Sequence, residues 1–390
     1  MRDAIRALPG SKIREVANAG IGRDDVLAFW FGESDEVTPE PIRQAAADSL
    51  ARGETFYSHN LGLPELREAI AAYASALHGP LDAGRIAVTS SGVSALMLAM
   101  QLLVGSGDEV VAVVPVWPNL TAQPLILGAS VTRVSLRPHA GAWQLDLQKL
   151  LAAVTPRTRV LLVNAPNNPT GWTLTRSEQQ ALLAHCRRTG TWIVADEVYE
   201  RIHFGAAAGA LGVAPPAAPS FLDVAAPDDR LVVVHSFSKT FLMTGWRLGW
   251  LVLPTSAMEA AGKLLEFNSS CAPVFVQRGG LAALALADHF APGLVARLQA
   301  CRDRLVTGLQ VLPGVTVASP AGGLYAFFSV EGEDDSLAFA KRLVSDHGLG
   351  LAPGVAFGPE GEGWLRWCFA SRDPARLDQG LQRLAAAMRL

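Results

Sequence analysis

The sequence predicts an α/β fold in which an open, largely parallel seven-stranded sheet is followed by a small α+β domain. Three observations carry that prediction. Apolar runs of strand length show no polar alternation, as in Glu109 to Val114, Arg159 to Asn164, Thr191 to Ala195 and Leu231 to Ser236, which marks strands buried on both faces. Helical patterns lie between most of these runs, the order that builds a parallel sheet. The distinctive polar and aromatic residues fall just after the strand runs, where open α/β sheets bind their ligands.

In chain order, Ser11 to Ala19 reads as a short helix. An apolar run from Leu27 to Phe31 follows and breaks at Gly32, where the backbone could approach a ligand closely. Glu40 to Ala51 and Pro64 to Leu77 carry apolar residues at helical spacing. Pro64 suits a first helical turn, and Glu65 suits the positive end of the helix. Between them lies a polar loop containing Tyr57, and such loops carry function more often than packing. Arg85 to Val88 is a strand that ends in the turn Ser90, Ser91, Gly92, with a helix beginning near Val93. Free N–H groups at such a helix start make a seat for phosphate.

Further strands are expected at Val131 to Ser135 and Leu248 to Leu253. Gly205 to Ser220 is rich in Ala, Gly and Pro and reads as a surface loop without chemistry. A long helical pattern from Pro273 to about Leu312 leads into strands at Val315 to Ala318, Leu324 to Val330 and Trp364 to Phe369, with a helix at Ser336 to His347. The expected division is an N-terminal segment, 1–45, packing with the small domain, a large domain, 46–280, and a small domain, 281–390.

Composition excludes several classes. Of 390 residues, 50% are hydrophobic and 18% charged, with a formal net charge of −3, which fits a compact enzyme and argues against a nucleic-acid partner. The first residues lack the apolar core of a signal peptide, and no run reaches the ~18 uninterrupted apolar residues of a membrane span, so a cytoplasmic protein is expected. Cys186, Cys271, Cys301 and Cys368 are scattered without paired spacing, which indicates neither a disulfide framework nor a metal site.

The chemistry centres on Leu231 to Trp250. There are five lysines, and only Lys239 follows a buried strand. Placed between hydroxyls and beside an arginine, it should lose hydration and feel a cationic neighbour, and both effects lower its pKa and free its amine for carbonyl chemistry. Asp196 ends a strand and can hold a protonated ring nitrogen. Tyr199, three residues on, and Asn168 can hydrogen-bond a phenolate oxygen, and Trp117 offers a flat face to an aromatic ring. Ser236, Ser238 and Arg247, with the N–H groups of Ser91, Gly92 and Val93, would hold a phosphate dianion. Together these describe a site for pyridoxal 5′-phosphate.

The segments NAPNNPTG, ADEVY, SFSKTFLMTGWRLGW and FYSHNLGLPELREAIA resemble the signatures of class I/II aminotransferases, pyridoxal-phosphate enzymes of fold type I. The resemblance runs from Phe29 to Phe369. It implies that Lys239 forms the internal aldimine, that Asp196 pairs with the pyridinium nitrogen, that Asn168 and Tyr199 bind the ring oxygen, and that Trp117 stacks on the ring. It also implies that Tyr57, and more loosely Ser270, reach across a homodimer. Arg366 in WLRWCF would grip the substrate carboxylate, assisted by Gly32 and Asn168. The implied activity moves an α-amino group from an amino acid to a 2-oxo acid in ping-pong order. Val93 adds no side-chain charge, and Trp30, Phe31, His59 and Asn60 would line the side-chain pocket, favouring neutral or aromatic substrates. Arg14 could instead bring a charge there. A carbon–sulfur β-lyase on the same scaffold and a non-catalytic, effector-binding relative are the alternatives.

Overall fold

In the computed structural model of the chain, residues 1–204 and 217–388 are described. Most of the expected loop at Gly205 to Ser220 lies outside the described residues. Its last residue is not idle surface: Ser220 is fully buried and donates its hydroxyl to Glu197 at 2.5 Å.

The large sheet has seven strands in the order Ile86–Thr89, Gly249–Val252, Leu231–Ser236, Trp192–Asp196, Thr158–Asn164, Glu109–Val114, Ser130–Ser135. All pairings are parallel except those of Gly249–Val252, which runs antiparallel to both neighbours. The apolar runs lack polar alternation because alternate residues enter two different cores. Val111, Val113, Leu161, Val163, Ile193 and Val233 pack on one face, while Val110, Ala112, Leu162, Val194, Val232 and Val234 pack on the other. The first face is covered by Leu66 and Ile70 of helix Pro64–His78 and by Leu182 and Cys186 of Arg176–Thr189. Leu96 and Met100 of Gly92–Leu103, with Met258 and Leu265 of Met258–Ser269, cover the second. Each fully buried large side chain contributes about 1.5–3 kcal/mol.

A second, four-stranded antiparallel sheet orders Val315–Val317, Tyr325–Val330, Trp364–Cys368 and Ala352–Pro353. Helix Lys12–Gly20 packs on Ser336–His347, and Leu27–Ala28 pairs in parallel with Leu349–Gly350. The first helix, Asp3–Arg6, instead touches Asn119–Ile126 of the large sheet's side, where Arg2 donates to the Ile126 carbonyl. The 37-residue helix Val274–Gln310 touches helix Pro64–His78 and also the strand Val315–Val317. The division expected at 280/281 therefore falls inside a continuous helix. By length and composition this is the one described helix that could cross a membrane. Asp288 interrupts its apolar run, and the helix packs extensively along Glu40–Ala51.

Candidate active site

A cavity of ≈ 390 Å³ opens at the carboxyl ends of Thr158–Asn164, Trp192–Asp196 and Leu231–Ser236 and is closed from the other side by Tyr325 and Arg366 of the small sheet. Its wall brings together Gly32, Gly92, Val93, Trp117, Asn168, Asp196, Tyr199, Ser236, Ser238, Lys239, Arg247 and Arg366. Ser91 sits just behind Gly92 and is buried, while Tyr57 lies outside the cavity and is 89% exposed.

One end of the cavity is a cluster of donors. Ser91 caps helix Gly92–Leu103 by accepting from the Ser94 N–H, and it does so at φ 127°, a conformation that costs a non-glycine residue about 1–3 kcal/mol. Ser236 Oγ donates to Ser238 Oγ at 2.9 Å and accepts from the Ser238 N–H at 3.1 Å. Arg247 is also held in the left-handed region, at φ 57°, with Nη1 donating to the Thr244 carbonyl at 2.6 Å. These segments are drawn together by Gly249, where a Cβ would meet the Gly92 nitrogen at 2.7 Å and the His235 carbonyl at 2.8 Å. A larger residue there would part the turn from the strand.

Lys239 is half-buried in the cavity wall. Its Nζ donates to the Gly32 carbonyl at 2.7 Å and stands 5.6 Å from the centroid of the Tyr199 ring. Burial and the positive charge of Arg366 bring its pKa down to about 8, against an opposing pull from Cys368, Glu33 and Asp196. The cationic neighbour expected from the sequence is thus Arg366 of the small sheet, and not the nearer-in-sequence Arg247. Asp196 is 2% exposed and accepts one hydrogen bond, from the Val198 N–H at 3.4 Å, with no ion pair among the described residues. Burial pushes its pKa up to about 7, Lys239 working against that rise. Tyr199 shares a 2.7 Å hydrogen bond with the hydroxyl of Tyr325.

Arg366 is 2% exposed and also has no carboxylate partner among the described residues. It donates from Nη1 to Asn168 Oδ1 at 3.0 Å and from Nη2 to the Trp30 carbonyl, while Nε is buried without a partner. Its guanidinium lies 4.3 Å from the ring centroid of Tyr325 and 4.9 Å from that of Phe357. Asn168 is fixed from the other side, its N–H donating to Asn164 Oδ1 at 2.8 Å and its carbonyl accepting from the Trp117 N–H at 2.8 Å. A charge this buried and lacking an anion is costly, and an incoming carboxylate would relieve it.

Several expectations change. Phe31, Arg14 and Gly32 line the cavity. Trp30 does not: its ring packs into the core beside Gly20 and Gly350, and only its carbonyl faces Arg366. His59 Nδ1 accepts from the Leu61 N–H, and Asn60 Nδ2 donates to the Gly262 carbonyl, so both side chains secure the loop and neither joins this chain's cavity. Tyr325 also lines the cavity, and its one signal in the sequence is its position after the glycine pair Gly322 and Gly323. The Tyr57 loop lies against the Ser270 loop, since the Ser58 N–H donates to Cys271 Sγ at 3.4 Å.

The profile of the class I and II aminotransferase family matches residues 25–384. The chain belongs to this family. This aminotransferase is 31% identical to an aspartate aminotransferase of Thermotoga maritima, over 97% of each chain. It is 32% identical to an arginine–pyruvate transaminase of Pseudomonas aeruginosa, over 88% of this chain and 85% of that one. The crystal structure of a Thermotoga maritima aspartate aminotransferase superposes with a TM-score of 0.90 at 30% identity, covering 100% of both chains. The fold is therefore that of the fold type I enzymes, and the aminotransferase's cofactor is pyridoxal 5′-phosphate. The cavity fits that molecule chemically. Asp196 is a buried carboxylate with no ion-pair partner among the described residues, the cluster at Gly92, Ser236, Ser238 and Arg247 can donate to a dianion, and Lys239 lines the same cavity.

Proposed function

We propose that Lys239 carries the cofactor and moves the proton in the transfer of an α-amino group from an amino acid to a 2-oxo acid. One arrangement carries this reading. A lysine with its pKa brought to about 8 stands in one cavity with two buried charges, Asp196 and Arg366, that have no ion-pair partner among the described residues.

When bound, pyridoxal phosphate supplies an electron sink for the pair left behind as a Cα–H bond breaks. The chain's own residues do the rest. Arg366 takes the substrate carboxylate in a two-pronged salt bridge and, with Asn168, orients the Cα–H toward Lys239. The Lys239 amine is partly neutral near pH 8 and can accept that proton, and it would return it to the carbon on the far side of the amino nitrogen. Asp196 keeps the ring nitrogen protonated, and the incoming cation draws its own carboxyl back to the ionised form. Tyr199 and Asn168 hold the ring oxygen, and Trp117 covers the ring face. Gly92, Val93, Ser236, Ser238 and Arg247, with Ser91 behind them, hold the phosphate. Phe31, Ile13 and Leu96 form an apolar wall, with the Arg14 guanidinium 5.9 Å from the Phe31 ring centroid, and here we place the donor's side chain.

The reading extends to a homodimer in the cytoplasm. Phe56, Tyr57 and Phe267 are 83%, 89% and 88% exposed, a patch a second copy would cover while bringing its Tyr57 to this site's phosphate corner. The four cysteines are all free, which suits a reducing compartment. The expected division into 1–45, 46–280 and 281–390 remains part of the proposal.

The test is an absorption spectrum of protein loaded with pyridoxal phosphate, taken before and after adding an amino-acid mixture, with ammonia and 2-oxo acids assayed in the same tube. A shift to the amine form of the cofactor without ammonia is expected. Ammonia released without any acceptor would favour the carbon–sulfur lyase, and a protein that takes up no cofactor would sink the assignment of Lys239. Sedimentation at assay concentration checks the dimer.

A further inference from the structure

We infer that Tyr325 is a positioning residue for Tyr199: its hydroxyl donates to the Tyr199 oxygen and so strengthens the hydrogen bond that Tyr199 gives to the cofactor's ring oxygen, while its ring supports Arg366. The inference rests on the cofactor reading above and adds a residue that reading does not use.

Tyr325 opens the strand Tyr325–Val330, 126 residues beyond Tyr199, and is 1% exposed. Its oxygen lies 2.7 Å from that of Tyr199, and the two rings meet edge to face with centroids 5.8 Å apart. In a pair of hydroxyls only one proton can lie between the oxygens. If Tyr199 spends its proton on a ligand oxygen in the cavity, the proton between the tyrosines comes from Tyr325. Such a chain of donors polarises along its length, and the last donor becomes stronger than it would be alone.

Two further contacts fix where the Tyr325 hydroxyl stands. A Cβ built on Gly32 would lie 1.9 Å from the Tyr325 oxygen, so the hydroxyl rests against the backbone that also accepts from Lys239. Across the ring, the Arg366 guanidinium sits 4.3 Å from the centroid, close enough for a cation–π contact. Tyr325 thus touches Tyr199, Gly32 and Arg366 at once. The charged and titratable groups facing the tyrosine pair are Arg366 and Cys368 from one strand, Asp196 from the large sheet, Lys239 from the turn after Leu231–Ser236 and Glu33 from the segment after Gly32. Burial, opposed by Arg366, holds the Tyr325 hydroxyl protonated up to about 12, so it remains a donor over the working range.

The test uses protein loaded with pyridoxal phosphate and three substitutions. In Tyr325→Phe the ring and its contact with Arg366 stay, and only the hydroxyl goes. A weaker donor to the ring oxygen leaves the neighbouring proton held more tightly, so the pH midpoint of the bound cofactor's absorbance should rise by about 0.5–1 unit. The affinity of the empty protein for pyridoxal phosphate, read by fluorescence titration, should fall about 3- to 5-fold, with KM for the amino acid nearly unchanged. Tyr325→Leu removes the ring as well and should raise KM about 10-fold. In a Tyr199→Phe background, adding Tyr325→Phe should move the midpoint no further, because the two residues act in series. A midpoint and affinity unchanged in Tyr325→Phe overturn the inference, as does an equal shift in the Tyr199→Phe background. A wild-type protein that binds no cofactor overturns the cofactor reading and this inference with it, whereas the other failures overturn this inference alone.

Discussion

Two clusters of buried charge lie on either side of the strand Trp192–Asp196 and the turn after it, and they are built on opposite plans. In the cavity, Asp196, Lys239 and Arg366 have no mutual ion pair and lean on neutral partners: the Val198 N–H, the Gly32 carbonyl and the Asn168 and Trp30 oxygens. Behind the cavity, charges satisfy one another. His78 donates to Asp223 Oδ1 at 2.8 Å and to Glu200 Oε2 at 3.1 Å, and Glu200 also faces His235 Nδ1 at 3.7 Å and the Tyr73 hydroxyl at 3.3 Å. Among the described residues, His235 Nε2, in a ring that stacks on Trp250, and Nε and Nη2 of the neighbouring Arg201 have no hydrogen-bond partner, although Arg201 still has Asp288 at 3.9 Å as a counter-charge. Burial opposes charge on His78, but the two carboxylates outweigh it and raise its pKa to about 10. Burial depth alone therefore does not separate function from framework, and the presence of a counter-charge does. The open cluster waits for charges that ligands bring, and the closed one serves the fold.

Substitutions can break this contrast. Lys239→Ala should abolish transfer by at least about 10³-fold, while the unfolding midpoint of the empty protein holds. Arg366→Leu should cut kcat/KM by about 10²- to 10³-fold, chiefly through KM for the amino acid, with stability kept or raised because a buried charge without a counter-ion is gone. His78→Leu should do the reverse: a loss of about 3–5 kcal/mol in urea unfolding, with kcat/KM measured below the new midpoint changed less than about 3-fold. If His78→Leu silenced the enzyme at full stability, the contrast would fail.

The most gradual effect is a pH dependence. The folded-state pKa of His78, about 10, lies above its ordinary 6.5, so its contribution is fully present below pH 6.5 and is lost as pH rises through about 10. Wild-type stability should therefore decline across that window by at most about 1.4 kcal/mol per pH unit. His78→Leu should flatten that decline, and parallel slopes in the two proteins would remove His78 from the account.

Much of this was legible in the sequence. The seven strands showed themselves because residues such as Val110 and Val111 both had to be apolar, each entering a different core. The cavity residues from Gly92 to Arg247 were legible because each follows a strand closely in the chain. Contacts between distant segments were not. Tyr325 reads as one more aromatic at a strand start, and only its meeting with Tyr199 gives it a role. His78 reads as the end of a surface helix, yet it lands between two carboxylates 122 and 145 residues away. His59, Asn60 and Trp30 were misplaced because adjacency in sequence to Tyr57 and Phe31 does not fix which way a side chain turns. Leu27–Ala28 was too short to announce its pairing with Leu349–Gly350.

The helix Val274–Gln310 is a rod about 55 Å long. Expressing the two sheets as separate fragments cut at residue 280 severs this helix, leaving each piece with a frayed end and a stripe of uncovered apolar residues. Dissection at residue 280 should thus yield insoluble halves, and a circular permutant that leaves the rod whole is the better route to moving the chain ends.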